Sequence, residues 1–227
     1  MLNKIFLITL CLFVIFPKTS PGMNFYKDES SAQFCNGPTC PVITIGEGVI
    51  DEFSVERFLD VWREFGGPNT IVELNSPGGN LLGGLALGRA FNTETVSVSV
   101  REFCQSACAY AFLGGRTRDA AEGSLAFHQF SIAGVEANEQ IFSMRDISQS
   151  QNITGMIVDY LIEINADLRI YGLAASTQDD EFFRPTEEEM ATLSITTFSD
   201  HAMRRWQMLP FGDGLVAEVS GLSEPQT

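Results

Sequence analysis

The chain has 227 residues, a formal net charge of −15 and 44% apolar residues, enough to bury the core of one α/β domain with extensions. So acidic a chain is poorly suited to nucleic acid or an anionic membrane surface, whose phosphates need Lys and Arg partners. Beyond that exclusion, acidity speaks only to solubility.

In chain order, MLNKIFLITLCLFVIF carries Lys4 and then an apolar run from Ile5 to Phe16. The run is too short to span a bilayer as a helix but has the build of a signal-peptide core, so residues 1–22 are expected to be removed on export to a periplasm or beyond. An uncleaved anchor is the competing reading. Cys11 falls within the signal, leaving Cys35, Cys40, Cys104 and Cys108. An even number in an oxidising compartment suggests two disulfides, with three connectivities open and the local pairs Cys35–Cys40 and Cys104–Cys108 the simplest. Four thiolates could instead hold zinc, but C-x4-C and C-x3-C are not the usual knuckle spacings, and no metal is expected.

Residues 23–40 read as an irregular lead-in, 41–200 as the α/β domain and 201–227 as a C-terminal extension. The β-branched run Pro41–Ile45 predicts a strand. From Asp51 to Phe65, Phe53, Val55, Phe58, Leu59, Trp62 and Phe65 recur at helical spacing, and Gly66-Gly67-Pro68 ends the helix. Thr70–Leu74 reads as a second strand running into Asn75-Ser76-Pro77-Gly78-Gly79. Leu81–Phe91 reads as a helix in which Gly84 and Gly88 permit close approach of a neighbour. TVSVSV (95–100) alternates as a strand, Cys104–Leu113 reads as a buried helix of small residues, and Ser124–His128 as another strand. A long helix is expected over Asn138–Ile164, and Thr186-Glu187-Glu188-Glu189 forms a capping box. Strands alternating with helices predict parallel strands joined by crossovers.

The chemistry-bearing residues follow. Ser106 stands where a strand gives way to an apolar helix, so helix amides could stabilise negative charge beside it, although a helix-capping serine is the plainer role. His128 ends a strand, where open α/β sheets gather ligands; a histidine bonded to backbone is the alternative. The chain has two histidines, and the other, His201, lies in a polar segment. The three lysines, Lys4, Lys18 and Lys27, all precede the predicted domain, which excludes a Ser–Lys dyad and leaves histidine as the base. Gly78 and Gly79 could supply an oxyanion-hole amide or form an ordinary turn. No G-x4-G-K-[ST] phosphate loop and no dinucleotide fingerprint are present, so no cofactor is predicted. Asn152-Ile153-Thr154 matches a glycosylation acceptor but falls in a predicted helix.

ELNSPGGNLLGGLALGRAF, CQSACAYAFLGG and GSLAFHQF together resemble the proteolytic subunit of the Clp protease and the wider crotonase-like superfamily, over about residues 41 to 197. The cysteines flanking the serine resemble an exported bacterial branch of it. The resemblance implies a crotonase-like α/β fold, a trimer or hexamer, and a serine peptidase. By position it makes Ser106 the nucleophile, His128 the general base, and the amides of Gly79 and Ala107 the oxyanion hole. Asp180, in Asp180-Glu181-Phe182, becomes the third triad member, with Asp179 as an alternative. An exported chain would lack ATP and an unfoldase, so the expected substrates are peptides or unfolded chains. If Cys104 and Cys108 are bridged, the bond would hold the start of the serine helix or gate it by redox state. The loop Ser131–Glu139 departs from the family's ring–ring contact segment, which argues against a double ring. A non-catalytic assembly or peptide-binding module is the competing function, and acyl-CoA chemistry ranks last.

Overall fold

A computed structural model describes residues 22–30, 40–130, 144–178 and 180–197, and the strand backbones of 206–211 and 214–219. The predicted signal segment, Cys35, the loop 131–143, Asp179 and His201 lie outside the described residues. Six strands form one sheet: β1 (Asn24–Lys27), β2 (Val42–Glu47), β3 (Thr70–Ser76), β4 (Ser97–Gln105) and β5 (Thr117–Asp119) in that order, with β6 (Leu125–Ala126) also pairing with β4. Only β1 runs antiparallel; every other pairing is parallel. Helices α1 (Ser54–Phe65), α2 (Leu81–Thr93) and α3 (Ala107–Leu113) follow β2, β3 and β4, and α4 (Met144–Glu163), α5 (Arg169–Ala175) and α6 (Glu187–Thr192) follow the sheet. A separate antiparallel hairpin joins β7 (Trp206–Phe211) to β8 (Gly214–Val219). The class is therefore mixed α/β with a mostly parallel sheet, as the alternation of elements predicts.

Side-chain period accounts for the strands. Along β3, Thr70, Val72, Leu74 and Ser76 are buried while Ile71, Glu73 and Asn75 are less so, a two-residue alternation on a half-covered sheet. Phe58 on α1 anchors the core: its ring lies 5.5 Å from that of Phe25, 4.9 Å from Phe91 and 5.7 Å from Trp62. The Gly84/Gly88 reading holds as well. A Cβ at Gly84 would run into the Ala107 carbonyl, and one at Gly88 would meet the Tyr160 hydroxyl, so α2 lies directly on α3. That hydroxyl donates to the Tyr110 carbonyl at 2.7 Å. Arg118 fastens the far end of α3 to the turn after α6, donating to the carbonyls of Gly115 (2.8 Å), Ile195 (2.7 Å) and Ser194 (2.6 Å).

Four sequence expectations change. Residues 24–27, read as part of an irregular lead-in, form β1, because Phe25 is buried in the core and the segment pairs with β2. Lys27, expected ahead of the folded part, therefore sits in the sheet, its ammonium 5.5 Å from the centre of the Phe65 ring. Strand β4 continues to Gln105, so Cys104 ends a strand rather than opening a helix; it pairs with Ser76 on one side and Leu125 on the other. Helix α5 and strand β5 went unread, being too short to show a period. The Thr186 capping box is formed, its hydroxyl accepting from the Glu189 amide while the Glu189 carboxylate accepts from the Thr186 amide.

The junction of β2 and α1 is tied by Asp51, whose carboxylate accepts from the Phe53 amide and the Ser54 hydroxyl, each at 3.0 Å, and from the Arg57 guanidinium. Burial pushes the Asp51 carboxyl upward, but the donated hydrogen bonds and the Arg57 charge together outweigh it and the net shift is downward. A lowered native value means stability that is present above the ordinary carboxylate range and lost as pH falls through that lowered value. Asp51→Ala should therefore cost about 1 kcal/mol at pH 7, and the gap from wild type should begin to narrow below about pH 4, near the ordinary carboxylate value. Urea denaturation at pH 7, 5 and 3 measures it; a gap independent of pH would contradict this account.

Candidate active site

Ser106 occupies the corner between β4 and α3 with φ 56° and ψ −123°. Positive φ in a residue with a Cβ costs of order 1–3 kcal/mol and persists only where the surroundings impose it. On the strand side the Ser106 amide donates to the Ala126 carbonyl at 2.8 Å. On the helix side its carbonyl accepts from Ala109 at 3.0 Å. Ser106 holds the N-cap position, yet its side chain makes no capping bond, whereas Asn80 and Thr186 cap α2 and α6. The capping role is thus not the one its hydroxyl takes.

The disulfide Cys104–Cys108 spans this corner, with Cα atoms 5.1 Å apart. Cys40 is disulfide-bonded too; Cys35, its expected partner, lies outside the described residues. A bond closing so short a loop contributes about 2 kcal/mol in the chain-entropy account, near the bottom of the usual range. Among the described residues no group of His, Cys, Asp and Glu could hold a metal ion.

The Ser76-Pro77-Gly78-Gly79 turn abuts the corner. Ser76 is fully buried; its hydroxyl donates to the Gly48 carbonyl at 2.6 Å and accepts from the Gly78 amide at 3.1 Å. The Ile50 amide donates to the Gly78 carbonyl and the Asn80 amide to the Ile50 carbonyl, both at 2.8 Å, clamping the turn to the chain after β2. Gly78 has φ 95°, and a Cβ there would lie 2.6 Å from the Gln105 carbonyl oxygen, 2.8 Å from Ser106 Cβ and 3.0 Å from the Ala107 nitrogen. This position admits only glycine, both for its backbone angle and for its contact with the serine corner. Among the described residues neither the Gly79 nor the Ala107 amide donates a backbone hydrogen bond. The Ala107 amide opens α3 and has no partner within the helix.

His128 follows β6. Its neighbours fix the segment: Phe127 and Phe183 exchange backbone hydrogen bonds of 2.8 and 2.9 Å, and the Gln129 amide donates to Thr177 at 2.9 Å. The His128 ring meets the Phe182 ring edge to face at 5.1 Å, and its Nδ1 is buried. Ser106, His128 and Gly79 line one cavity of about 690 Å³. Its wall continues through Tyr110, Ser150, Thr154, Ile157 and Tyr171, with no Asp, Glu, Lys or Arg among the described residues that form it. The Thr154 and Tyr171 hydroxyls share a hydrogen bond of 2.9 Å. Burial, and to a lesser extent the proximity of Tyr171, pushes the Tyr110 phenol upward, so it stays neutral.

Of the residues singled out in the sequence, the structure brings Ser106, His128 and Gly79 to one cavity, and Ala107 opens the helix that follows Ser106. Asp180 is exposed and is not part of the cavity wall, while Asp179 lies outside the described residues. The wall formed by α4 and α5 went unread. Ser150, Thr154 and Ile157 repeat at i, i+4 and i+7, a helical face that could have been singled out; Tyr171, on a two-turn helix, gave no such signal.

No family model matches the chain, and no curated protein is similar to it. Among solved structures it is similar to a mutant of the 1510-N membrane-bound stomatin-specific protease, at 17% identity over 66% of this chain and 73% of that one, with a TM-score of 0.49. The functional reading therefore rests on this chain's own residues. Gly78→Ala should lower stability by about 2 kcal/mol or more, through strained φ and overlap with Gln105. Urea midpoints against a Gly67→Ala control, at a glycine with open space around it, test this; equal losses would refute the contact.

Proposed function

We propose that the protein is an ATP-independent serine hydrolase of crotonase-like, Clp-protease-like fold, a peptidase acting on peptides or unfolded chains in an oxidising compartment such as the periplasm. The observation that carries this reading is Ser106 itself: a non-glycine residue at positive φ, at a strand-to-helix corner, with no capping bond, in the cavity that His128 also lines. Such a corner exposes a nucleophile and aims the following amide at the same point. The cysteine pairing supports an oxidising compartment.

In this mechanism Ser106 Oγ attacks the scissile carbonyl while His128 takes its proton. Nε2 is assigned to the serine, which leaves the buried Nδ1 for the group that orients the ring. Negative charge on the carbonyl oxygen is received by the Gly79 and Ala107 amides. His128 returns the proton to the leaving amine, and water then hydrolyses the acyl-enzyme by the same relay. Asp180 or Asp179 would orient the imidazole. The uncharged wall suits a neutral side chain of the substrate, and no cofactor takes part. By the same resemblance the chain would assemble as a trimer or hexamer.

The exposure of Asp180 favours a second reading, a non-catalytic module for assembly or peptide binding. A fluorophosphonate probe separates the two. The first reading expects labelling of the oxidised protein that disappears in Ser106→Ala and falls about a hundredfold or more in His128→Ala. Asp180→Asn and Asp179→Asn then identify the third member. Labelling that persists in Ser106→Ala, or none in the wild type, sinks the hydrolase.

A further inference from the structure

Cys104 and Cys108 stand two residues before and two after Ser106. In the nucleophile turn G-x-S-x-G those two places belong to glycine, whose lack of a side chain lets the chain fold back sharply on itself. Here the same two places are occupied by cysteines 5.1 Å apart and covalently joined. What glycine would merely permit, the disulfide enforces.

Three further observations bear on what the bond does. It closes a loop of sequence separation 4, and the chain-entropy gain grows with loop length, so this placement is close to the least effective for stabilising a whole fold. Both cysteines are 0% exposed, within the cluster that includes Ala107, Tyr110 and Phe112, so a reductant has no direct path to the sulfurs in the folded protein. Finally, the Ser106 side chain makes no capping hydrogen bond that would hold its own backbone at φ 56°. Released, that residue would relax most cheaply into the right-handed helical region, adding itself to α3. Such a change would swing both Oγ and the Ala107 amide.

We infer that the Cys104–Cys108 disulfide is a brace that positions Ser106 and the Ala107 amide, and that this, rather than general stabilisation of the fold or sensing of redox state, is its main role. This rests on the reading of Ser106 as nucleophile. Cys104 and Cys108 are positioning residues, since they act through Ser106 rather than on the substrate.

The test compares wild type, Cys104→Ala/Cys108→Ala and Cys104→Val/Cys108→Ala, well below their melting temperatures. Fluorophosphonate inactivation is resolved into kinact and KI, and amide hydrogen exchange is followed in parallel. The brace expects kinact at least tenfold lower, KI within twofold, and exchange protection lost over residues 106–110 but kept in α2. A folded variant with unchanged kinact and unchanged exchange overturns it. So does failure of both variants to fold where wild type is folded, which would make the bond a general stabiliser.

A phosphine reductant supplies the remaining arm. Each bond cleaved takes two electrons from one phosphine, which leaves as its oxide, and gives two thiols with protons from water. Native protein should keep both its Cys104–Cys108 disulfide and its labelling rate until heated toward unfolding; ready reduction of that bond in the native state, with loss of labelling, would make it a sensor. If wild type is not labelled at all, the hydrolase reading fails, and exchange over residues 106–110 alone decides the brace.

Discussion

Parallel pairing of β4 on both of its sides carries the chain from Ser97 to Gln105 and delivers Ser106 at the carboxyl end of the sheet. Parallel strands finish at a common edge, which is where such sheets collect their functional groups. Three of them do so here: β3 ends in the Ser76–Gly79 turn, β4 in Ser106, and β6 in the segment leading to His128. Gly79, Ser106 and His128, up to 49 positions apart in sequence, are brought to one cavity by the pairing of these strands.

What the sequence made legible follows from this division. Residues whose role is set by local backbone demands leave a local signature: Gly78 because nothing else fits at φ 95°, and Thr186 because its capping box closes within four residues. Features set by distant partners leave none. The charged residues Arg101 and Glu102 interrupt the alternation of β4, so the strand looks finished at Val100; its continuation depends on β3 and β6. Strand β1 is likewise specified by β2 and by the burial of Phe25, not by its four residues. The cavity wall from α4 and α5 is a tertiary fact, since Thr154 and Tyr171 belong together only once those helices pack. The aspartate assignment rests on resemblance, because an exposed carboxylate such as Asp180 looks the same in a sequence whether or not it orients an imidazole.

Charge is distributed unevenly with respect to the site. The chain carries a net −15, yet the described cavity wall is neutral and holds phenol, hydroxyl and aliphatic groups. On the proposed mechanism a developing oxyanion would meet oriented amides rather than the carboxylates of the outer surface, which solvent screens. Burial keeps the Tyr110 phenol neutral as well.

The sealed position of the two sulfurs also dictates an order of events during biogenesis. An oxidant can reach Cys104 and Cys108 only before α3 settles between the sheet and α2, because afterwards both lie in the core. Oxidation must therefore accompany folding rather than follow it. A chain that completed its core in a reducing environment would carry two stranded thiols, beyond the reach of later repair. Maturation is in this sense timed by geometry: the Ser106 corner is set while the chain folds or not at all.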